Sequence, residues 1–483
     1  MIELTKLLEG IDFQAKGNIK NVEIKNVCFN SKEVKKGYLF VCLKGVNTDG
    51  HEYFLEAEKN GAVAIVCEHW LDSDLPQIMV ENTRKALALL SGNFYDNPAK
   101  KLKLIGITGT NGKTTTTMVV RDILIQNNKK VGVIGTLGYF IDRRHYVCDL
   151  TTPDPMRLHK IFSIMLEKGV EYVAMEVSAH AIALEKIHGL EFVVGALTNI
   201  TQDHLDFFKT MDNYIKTKFK FMTSPALKTS LLNADDDSVH FLENDISFTY
   251  GIVQPSDCFA MDLCLQMGRS RYILNLFDNV INIDTKLSGM FNVYNVLLGS
   301  AIACILGVDT KTIQLAVSKM KPVEGRYNVI NTNNGSVVID FAHTPDGLEN
   351  ILKSIRQTSN AKVVTVFGCG GNRDNKKRPI MGAIAEKYSD FCFVTTDNPR
   401  FENPDLIAED ILEGMKDKDN VVVENDRKKA IMLALEKLDK NTIVAVCGKG
   451  GEKYQDINGV MSPFNDVTIV KDCLKELGFK ISK

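Results

Sequence analysis

Residues 102–117, LKLIGITGTNGKTTTT, form an apolar stretch that ends in a glycine turn, a lysine and a row of threonines. The pattern predicts a β-strand, a phosphate-binding loop and the start of a helix. Gly109 and Gly112 permit a tight turn whose backbone N–H groups point inward, toward phosphate oxygens. Lys113 is suited to neutralise the β- and γ-phosphates, and the Thr114 hydroxyl to coordinate Mg²⁺. The stretch therefore predicts a site for a nucleoside triphosphate.

The loop is shorter than the usual G-x-x-x-x-G-K-[ST] pattern, because Ile107 stands five residues before Gly112 where that pattern has glycine. A GKT tripeptide also arises by chance in a simple lysine-bearing turn. The apolar strand before the loop and the amphipathic segment after it, with Met118 and Ile123, supply the context of a phosphate site. We therefore favour the phosphate site over the simple turn.

The composition is that of an ordinary packed protein: 483 residues, 45% hydrophobic, 24% charged and a net charge of −2. This length predicts about two to four domains. The absence of a basic, aromatic-rich block disfavours a nucleic-acid partner and indicates a small substrate. The 11 cysteines are scattered singly, as reduced core thiols are. With no signal-peptide pattern and only short apolar runs, we expect a cytoplasmic protein with no membrane partner.

Hydrophobic and turn patterns divide the chain into three α/β regions, with boundaries near 93–101 and 321–330. The first shows short strands such as 38–43 and 63–66. In the second, apolar strands alternate with helical segments, which predicts a parallel sheet covered by helices. Its predicted strands are 104–108, 131–135, 171–177, 194–199 and 230–233. The third region is a smaller Rossmann-type unit, with predicted strands 336–340, 362–367, 391–395, 420–424 and 442–447.

Three polar clusters end predicted strands, where open α/β sheets bind ligands. They are EVSAH at 176–180, NITQDHLD at 199–206 and DFAHTPD at 340–346. A solvated loop explains any one of them equally well. Glu176 and His204, however, combine a carboxylate and an imidazole that suit Mg²⁺ bridged to phosphate. Their repetition after the phosphate loop favours a metal site.

Three further motifs follow predicted strands in the last third of the chain. They are GCGGNRDNKKRP at 368–379, TTDNPR at 395–400 and CGKGGE at 447–452. Their arginines can bind carboxylates bidentately, and Glu452 can pair with an ammonium group. A pocket with both signs of charge suits an amino acid, whereas a surface arginine in a turn is the structural alternative for each motif alone.

Taken together, these motifs resemble those of the Mur ligase family, most closely its MurE type. Eight of them occur in the family order and with family-like spacing: TGTNGKTTT, EVSAHA, TNITQDHLDF, SGMFNVYN, DFAHTPD, GNRDNKKRP, DNPR and GKGGE. The resemblance implies a three-domain α/β architecture. A UDP-sugar-binding domain would occupy 1–99, a central P-loop parallel-sheet ATPase domain 100–325, and a C-terminal Rossmann-like amino-acid-binding domain 326–483.

The resemblance also implies a monomeric, ATP- and Mg²⁺-dependent ligase of peptidoglycan precursor synthesis. The implied substrates are UDP-N-acetylmuramoyl-L-alanyl-D-glutamate and meso-diaminopimelate. ATP would phosphorylate the γ-carboxylate of D-glutamate, and the amine would attack the resulting acyl phosphate. This order of steps is chemically reasonable, because phosphorylation turns a poor leaving group into a good one.

Family site positions transfer to this chain through the matching motifs. The implied ATP site comprises Gly109, Thr110, Asn111, Gly112, Lys113, Thr114, Thr115, Asn292, Asn295, Arg326 and Asp340, with His343 near the phosphate or the third domain. The implied UDP-sugar-peptide site comprises Ser31, Val46, Asn47, Thr48, Thr151, Thr152, Ser178 and Lys186. The implied amino-acid pocket comprises Arg373, Asp397, Asn398, Pro399, Arg400, Gly448 and Glu452. The implied metal ligands are Thr114, Glu176, His204 and a carbamylated Lys218, and the catalytic residues are Lys113, Glu176, His204 and Lys218.

Several positions depart from the family pattern. Gly451 stands where histidine is common, Lys186 where arginine is frequent, and Phe208 where histidine is frequent. These departures concern substrate contacts and not the reaction. Lys218 lies in YIKTKFKF between Lys216 and Lys220, so the sequence alone leaves the register of the carbamylated lysine open.

Arg400 of the DNPR motif favours meso-diaminopimelate, because an arginine can bind the distal carboxylate that lysine lacks. The lysine-adding ligase stays an alternative, since such enzymes with an arginine at this position exist. The folylpolyglutamate type is disfavoured by the UDP-site segment at 30–50. A non-catalytic ATP-binding protein is disfavoured because Arg373, Arg400 and Glu452 are all present.

Overall fold

The computed structural model describes residues 1–45, 48–241 and 247–481. The chain packs into two compact units. The first comprises Met1–Thr108, Lys129–Gly195 and Lys220–Ser230, and the second comprises Gly109–Asn128, Ala196–Phe219 and Leu231–Lys483.

The N-terminal part of the first unit contains a five-stranded sheet, the separate two-stranded sheet β1-β3 and three α-helices. Its strands are β1 (Ile2–Glu3), β2 (Gln14–Lys16), β3 (Glu23–Ile24), β4 (Asn26–Cys28), β5 (Tyr38–Val41), β6 (Ala62–Cys67) and β7 (Gln77–Met79), and its helices are α1 (Leu4–Leu7), α2 (Phe54–Lys59) and α3 (Thr83–Phe94). Five strands pair in the order β2-β7-β6-β5-β4, and β4 to β7 run parallel. Strand β6, AVAIVC, is almost wholly buried, as a parallel strand covered on both faces must be.

The middle of the chain builds a larger sheet. Its strands are β8 (Lys103–Thr108), β9 (Val131–Gly135), β10 (Gly138–Ile141), β11 (Arg144–Tyr146), β12 (Tyr172–Glu176), β13 (Phe192–Leu197), β14 (Ser230–Asn233), β15 (Phe248–Gly251), β16 (Cys258–Gln266), β17 (Arg269–Leu276) and β18 (Asn279–Thr285). Its helices are α4 (Lys113–Gln126), α5 (Pro155–Glu167), α6 (Ala179–Ala183), α7 (Leu205–Phe208), α8 (Met211–Met222), α9 (Met290–Ile305) and α10 (Thr310–Lys319). All five strands predicted for this region are present.

The strands of this sheet follow the order β11-β10-β9-β12-β8-β13-β14-β15-β16-β17-β18. Strand β12 runs parallel to both β8 and β9, as predicted. Strands β10 and β11 and the meander β16 to β18 are antiparallel, so the sheet is mixed. The sequence analysis predicted its parallel strands but not these antiparallel ones. Antiparallel strands can expose one face to solvent, whereas parallel strands are usually covered on both faces. In β18, buried and exposed side chains accordingly alternate.

The C-terminal part contains β19 (Asn328–Thr332), β20 (Gly335–Asp340), β21 (Lys362–Phe367), β22 (Phe391–Val394), β23 (Val421–Val423), β24 (Thr442–Cys447), β25 (Tyr454–Ile457) and β26 (Val460–Pro463). Its helices are α11 (Pro345–Thr358), α12 (Lys377–Tyr388), α13 (Pro404–Leu412), α14 (Arg427–Glu436) and α15 (Asp466–Glu476). The five strands predicted here occur within one residue of their predicted ends. The sequence analysis did not predict β19 or the β25–β26 hairpin.

Six of these strands form a sheet in the order β19-β20-β24-β21-β22-β23, parallel except for the edge strand β19. Helices α11 to α13 pack on one face and α14 and α15 on the other. Because β24 lies between β20 and β21, the strand order changes direction there, and a crevice opens at the carboxyl ends of the strands. The predicted motifs at 340–346, 368–379, 395–400 and 447–452 all begin at these ends.

No helix in the described ranges combines the length and apolar character needed to cross a bilayer.

Two imidazoles described in the first unit are buried, those of His51 and His159. His159 on α5 packs against Phe162, with ring centroids 5.8 Å apart, and faces Gly92 of α3. Within the described part of the chain its Nδ1 has no hydrogen-bond partner. Burial lowers the pKa of His159 from 6.5 to about 4.

We expect His159 to destabilise the fold as pH falls from 6.5 toward 4, because the unfolded chain binds a proton that the folded chain excludes. The shift corresponds to a loss of about 3 kcal/mol at the acid end of this window. The His159→Gln variant should therefore show a flatter pH dependence of the free energy of unfolding, measured with urea. The exposed His145→Gln substitution is the control. Equal slopes for wild type and His159→Gln would contradict this assignment.

Candidate nucleotide and amino-acid sites

The predicted phosphate loop connects β8 to α4, and its two glycines adopt backbone conformations that other residues avoid. Gly109 has φ +135° and Gly112 has φ +87°. A Cβ at Gly109 would collide with the Thr198 hydroxyl, and one at Gly112 would collide with the Asn295 amide. Both positions therefore require glycine for conformational and for steric reasons.

Residues 198 and 199, directly after β13, brace this loop. The Thr110 N–H donates to the Asn199 carbonyl at 2.8 Å, and the Asn111 N–H donates to Asn199 Oδ1 at 2.9 Å. The Thr198 hydroxyl donates to the Asn111 carbonyl at 2.6 Å. These bonds fix the path of the loop from a neighbouring strand. The sequence analysis quoted the TNITQDHLDF motif but did not assign this role to it.

Helix α4 begins at Lys113, so its N-terminus faces the loop. The Lys113 ammonium donates to the carbonyls of Gly109 and Thr110, both at 2.8 Å. Thr114 and Thr115 are buried in the first turn. A helix N-terminus with an adjacent ammonium group is a favourable environment for phosphate.

Two residues of α9 that were predicted to bind the nucleotide, Asn292 and Asn295, connect to helix α4. Asn295 Oδ1 accepts from the Thr116 hydroxyl at 3.3 Å, and Asn295 Nδ2 donates to Asn292 Oδ1 at 3.2 Å. Asn292 in turn donates to the Ser288 carbonyl at 2.8 Å. This chain of buried amides links α9 to the first turn of α4.

Arg326 and Asp340 also lie in the second unit. Arg326 Nη2 is 3.4 Å from the Thr114 hydroxyl, and its guanidinium stacks over the Phe341 ring at 4.2 Å. The Asp340 carboxylate accepts from the Tyr327 N–H at 2.7 Å. Burial raises the pKa of Asp340 to about 6, although Arg326 and backbone N–H groups oppose this shift. The structure thus brings Arg326 to the first turn of α4, whereas Asp340 holds the Tyr327 N–H and interacts with Arg326.

A contact that the sequence analysis missed joins the phosphate loop to α11. Asn111 Nδ2 donates to Asp346 Oδ2 at 2.9 Å, and Asn350 Nδ2 donates to the other carboxylate oxygen, Oδ1, at 3.0 Å. Asp346 belongs to the DFAHTPD motif that the sequence analysis quoted, but only Asp340 and His343 of that motif were assigned. Its carboxylate orients the side chain at the tip of the loop.

Asp203 lies at the centre of a buried polar cluster. Its Oδ2 is 3.3 Å from His204 Nε2 and 3.8 Å from His343 Nε2, and the Lys377 ammonium donates to the His343 carbonyl at 2.8 Å. Burial alone would raise the pKa of Asp203, but His204, His343 and Lys377 outweigh it and hold that pKa well below its usual range. Asp203 is therefore a buried carboxylate ion. The sequence analysis chose His204 and not Asp203 as the functional residue.

The three lysines of YIKTKFKF differ in burial. Lys216 and Lys220 are exposed, whereas Lys218 is buried, with its Nζ 4.6 Å from the centre of the Tyr214 ring. Burial, helped by Lys113, lowers the pKa of Lys218 well below its usual range, against the opposing effect of Asp203 and Asp236. An amine with a lowered pKa is neutral more of the time and is a better nucleophile toward CO₂.

The predicted metal ligand Glu176 lies in the first unit, at the end of β12. Its carboxylate accepts from the Thr136 N–H at 2.9 Å and from the Thr136 hydroxyl at 3.1 Å. A side chain at Gly135 would collide with this carboxylate. Glu176 is thus a buried carboxylate at a strand end, oriented by Thr136 and packed against Gly135.

Three residues of the predicted UDP-sugar-peptide site, Thr151, Thr152 and Ser178, lie near Glu176. The Ser178 N–H donates to Thr152 Oγ1 at 3.1 Å, and the Thr151 hydroxyl is 3.1 Å from that of Thr136. Lys186 forms an ion pair with Asp154 at 2.7 Å. Ser31 is held elsewhere, by Glu56 at 2.5 Å, and the Thr48 carbonyl accepts from Gly45 at 2.8 Å. Val46 and Asn47 lie outside the described residues.

In the predicted amino-acid pocket, Arg373 and Arg400 both lie next to Gly370. A Cβ at Gly370 would lie 3.0 Å from Arg400 Nη1 and 3.7 Å from Arg373 Cγ. Arg400 Nη1 donates to the Gly371 carbonyl at 2.8 Å, and Arg373 Nη1 is 3.8 Å from Asp206. Both arginines stay partly exposed: 25% of the Arg400 side-chain surface and 44% of the Arg373 side-chain surface is accessible. They can therefore reach a bound carboxylate.

The DNPR and GKGGE motifs interlock through a buried lysine. The Lys449 ammonium contacts Asn398 Oδ1 at 2.9 Å and Glu452 Oε2 at 2.5 Å, and Asn398 Nδ2 also donates to Glu452 at 2.9 Å. A Cβ at Gly448 would lie 2.7 Å from the buried Asp397 carboxylate. Pro399 follows Asn398 and leads the chain to Arg400. The residues predicted for the pocket from the DNPR and GKGGE motifs thus lie next to one another.

A buried ion pair supports the same two motifs. Arg427 and Asp466 are fully buried and form two hydrogen bonds, at 2.9 and 2.7 Å. Arg427 also donates to the carbonyls of Thr396 at 3.3 Å and Cys447 at 3.0 Å. These carbonyls lie where the chain leaves β22 and β24. Arg427 therefore ties together the starts of both motifs, a role that no sequence motif indicated.

Three family models match the chain. They are "Mur ligase family, catalytic domain" at residues 23–95, "Mur ligase middle domain" at 107–303, and "Mur ligase, glutamate ligase domain" at 325–450.

Individual proteins match over nearly the whole length. The UDP-N-acetylmuramoyl-L-alanyl-D-glutamate–2,6-diaminopimelate ligase of Caldanaerobacter subterraneus subsp. tengcongensis is 41% identical, over 98% of this chain and 99% of its own. A solved structure of a ligase with the same name aligns with a TM-score of 0.69 and 26% identity, over 99% of both chains. The MurF ligase of Thermotoga maritima, solved in complex with ADP, shares the fold with a TM-score of 0.62 and 20% identity, over 95% of this chain and 98% of its own.

We expect the Asp346→Ala variant to raise the Kd for ATP about tenfold, because Asn111 at the tip of the loop loses its charged hydrogen-bond acceptor. Isothermal titration calorimetry measures this change. The matched control is Asn350→Ala, which removes the other side-chain partner of Asp346 and leaves the Asn111 contact in place. The control should change the Kd less than about twofold. Equal losses in both variants would contradict the role of the Asn111 contact.

Proposed function

Because the chain belongs to the Mur ligase family, we propose that it is an ATP-dependent ligase that adds meso-diaminopimelate to UDP-N-acetylmuramoyl-L-alanyl-D-glutamate. The observation that carries this proposal is the pair Arg373 and Arg400 at Gly370, next to the strand ends that bear Glu452. Cationic and anionic groups side by side suit a diamino dicarboxylic acid. The 41% identical relative, named for this reaction, supports it.

The nucleotide would bind at the phosphate loop. The backbone N–H groups at the N-terminus of α4 would hold the phosphates. The N–H groups of Thr110 and Asn111 already donate to Asn199, so they fix the loop and do not bind phosphate, contrary to the prediction from the sequence. Lys113, which now donates to two loop carbonyls, would turn its ammonium to the β- and γ-phosphates. Asn292, Asn295, Arg326 and Asp340 would position the rest of the nucleotide. Asn295 and Arg326 contact the start of α4 directly, Asn292 is bonded to Asn295, and Asp340 interacts with Arg326.

The described residues contain no group of three or more His, Cys, Asp or Glu side chains placed to hold a metal ion. This finding is compatible with Mg²⁺, which often takes only one or two protein ligands and completes its shell with water and phosphate oxygens. The Thr114 hydroxyl, His204 and a carbamylated Lys218 would hold Mg²⁺, and the assignment of Glu176 as a further ligand stays a prediction. When bound, Mg²⁺ would neutralise phosphate charge.

The proposed chemistry has two steps. An oxygen of the D-glutamate γ-carboxylate attacks the γ-phosphorus of ATP, and ADP leaves. The deprotonated amine of the incoming amino acid then attacks the acyl carbon, the amide forms and phosphate leaves. Ser31, Thr48, Thr151, Thr152, Ser178 and Lys186 would bind the UDP-linked substrate, together with Val46 and Asn47. Domain boundaries at 1–99, 100–325 and 326–483, a monomeric state and a cytoplasmic location stay predictions.

Phosphate release from ATP tests this function. The purified protein is given UDP-N-acetylmuramoyl-L-alanyl-D-glutamate with meso-diaminopimelate, with L-lysine, or with no amino acid. We expect release that depends on diaminopimelate. Dependence on lysine would keep the ligase and replace the substrate, whereas no stimulation by either amino acid would contradict the proposal.

The Arg400→Ala variant extends the same assay. It should raise the KM for diaminopimelate by about 100-fold, because the distal carboxylate loses its partner. The KM for ATP should change little, since Arg400 contacts Gly371 and not the phosphate loop. Unchanged kinetics with diaminopimelate would remove Arg400 from the pocket.

The lysine assignment has its own test. We expect Lys218→Ala to lower kcat by about 100-fold or more, since an anionic oxygen ligand is lost, and added short carboxylic acids should restore part of the activity. The exposed Lys216→Ala variant on the same helix is the control and should retain its activity. Full activity in Lys218→Ala would show that Lys218 is not the modified residue.

A further inference from the structure

Strand β18 is the last strand of the large sheet, so within the described part of the chain one of its edges has no neighbouring strand. It pairs with β17 through a two-residue turn in which both residues have positive φ. In such a hairpin the pair next to the turn, Leu276 and Asn279, is hydrogen-bonded, and non-bonded and bonded pairs then alternate along the strands. The N–H and C=O groups of residues 280, 282 and 284 therefore point away from β17, toward the outer edge.

Helix α10 lies along this edge and forms one wall of a groove. The Thr285 hydroxyl donates to the Val317 carbonyl at 3.1 Å, which holds the helix against the strand. The groove has a volume of about 580 Å³ and is lined by α10, by residues 282–284 of β18 and by residues of β16 and β17. Gln314 Nε2 donates to the outward Asn282 carbonyl at 2.7 Å. This side-chain amide thus takes the position where a further strand would place a backbone N–H.

The charges around the groove leave an excess of cations. Asp284 accepts two hydrogen bonds from Arg269, at 2.8 and 2.5 Å, so its charge is already neutralised. Arg271, which lies opposite Asp284 on β17, and Lys311 of α10 also line the groove. Among the described residues neither of them forms an ion pair, and the one other carboxylate in the lining is that of Asp262. Two cations thus face a single unpaired carboxylate.

We propose that this groove binds an extended, acidic segment of another protein, which adds to the sheet as a strand beside β18. Main-chain hydrogen bonds to the outward groups of β18 would supply affinity, and alternate side chains would supply specificity. Acidic side chains would pair with Arg271 and Lys311, and an apolar side chain would cover Leu315, which is 44% exposed. A second copy of this chain fits less well, because it would bring its own Arg271 and Lys311 to the same edge, where like charges repel.

Fluorescence anisotropy of a labelled synthetic peptide with the full-length protein tests this inference. The probe alternates glutamate and valine over about eight residues, enough to span the strand. We expect saturable binding, and methylation of the backbone nitrogens of the probe should raise the Kd about tenfold or more, because the probe can no longer donate to β18. Lys311→Glu should also raise the Kd about tenfold. The control Lys319→Glu, on the exposed surface of α10 and outside the groove lining, should change the Kd less than about twofold.

The Asn282→Pro variant removes one outward N–H and keeps the pairing with β17, so it should weaken binding of the unmethylated probe. Circular dichroism checks its fold, and if it unfolds, the two probes compared on wild type and Lys311→Glu decide the question. Absence of saturable binding would overturn the inference. Equal Kd values for the methylated and unmethylated probes would show charge attraction without strand addition. A dimer in analytical ultracentrifugation that excludes the probe would show that a second copy occupies the edge.

Discussion

The close approach between the phosphate loop and residues 198–199 is the constraint on which the rest of the structure depends. Gly109 and Gly112 have no side chains because Thr198 and Asn295 occupy the space where a Cβ would lie. The backbone bonds from Thr110 and Asn111 to Asn199 then fix the loop from a neighbouring strand. Helix α4 starts directly after this loop, so the position of its N-terminus, and of every residue that converges on it, follows from that approach.

Buried charges in the second unit are compensated locally, and this arrangement places reactive groups. Asp203 stays ionised in the interior because His204, His343 and Lys377 surround it. Lys218 experiences the opposite balance, since burial and Lys113 disfavour its charged form. One environment thus lowers the pKa of a carboxylic acid and that of an amine 15 positions later in the chain, each for its own electrostatic reason.

In the C-terminal sheet, the charged residues that hold the motif loops in place differ from those that stay exposed. The fully buried Arg427–Asp466 pair binds main-chain carbonyls at the ends of β22 and β24 and so sets where the DNPR and GKGGE motifs begin. Arg373 and Arg400, by contrast, remain partly exposed. A buried pair is costly to break, because either ion alone would be left without a partner, and it therefore makes a rigid support.

The sequence by itself determined the phosphate loop, the alternation of strands and helices, the family, and nearly all of the motifs that meet at strand ends, because these depend on local residue order and periodicity. It missed the antiparallel meander β16 to β18 and the β25–β26 hairpin, whose pairing depends on turns and on exposure. Only the tertiary structure decided that Lys218 is the buried lysine of three, that Asn111 meets Asp346 across 235 positions, and that Asp456 lies beside Arg400. The physical reason is that burial and side-chain pairing arise from segments distant in the chain, which local patterns do not encode.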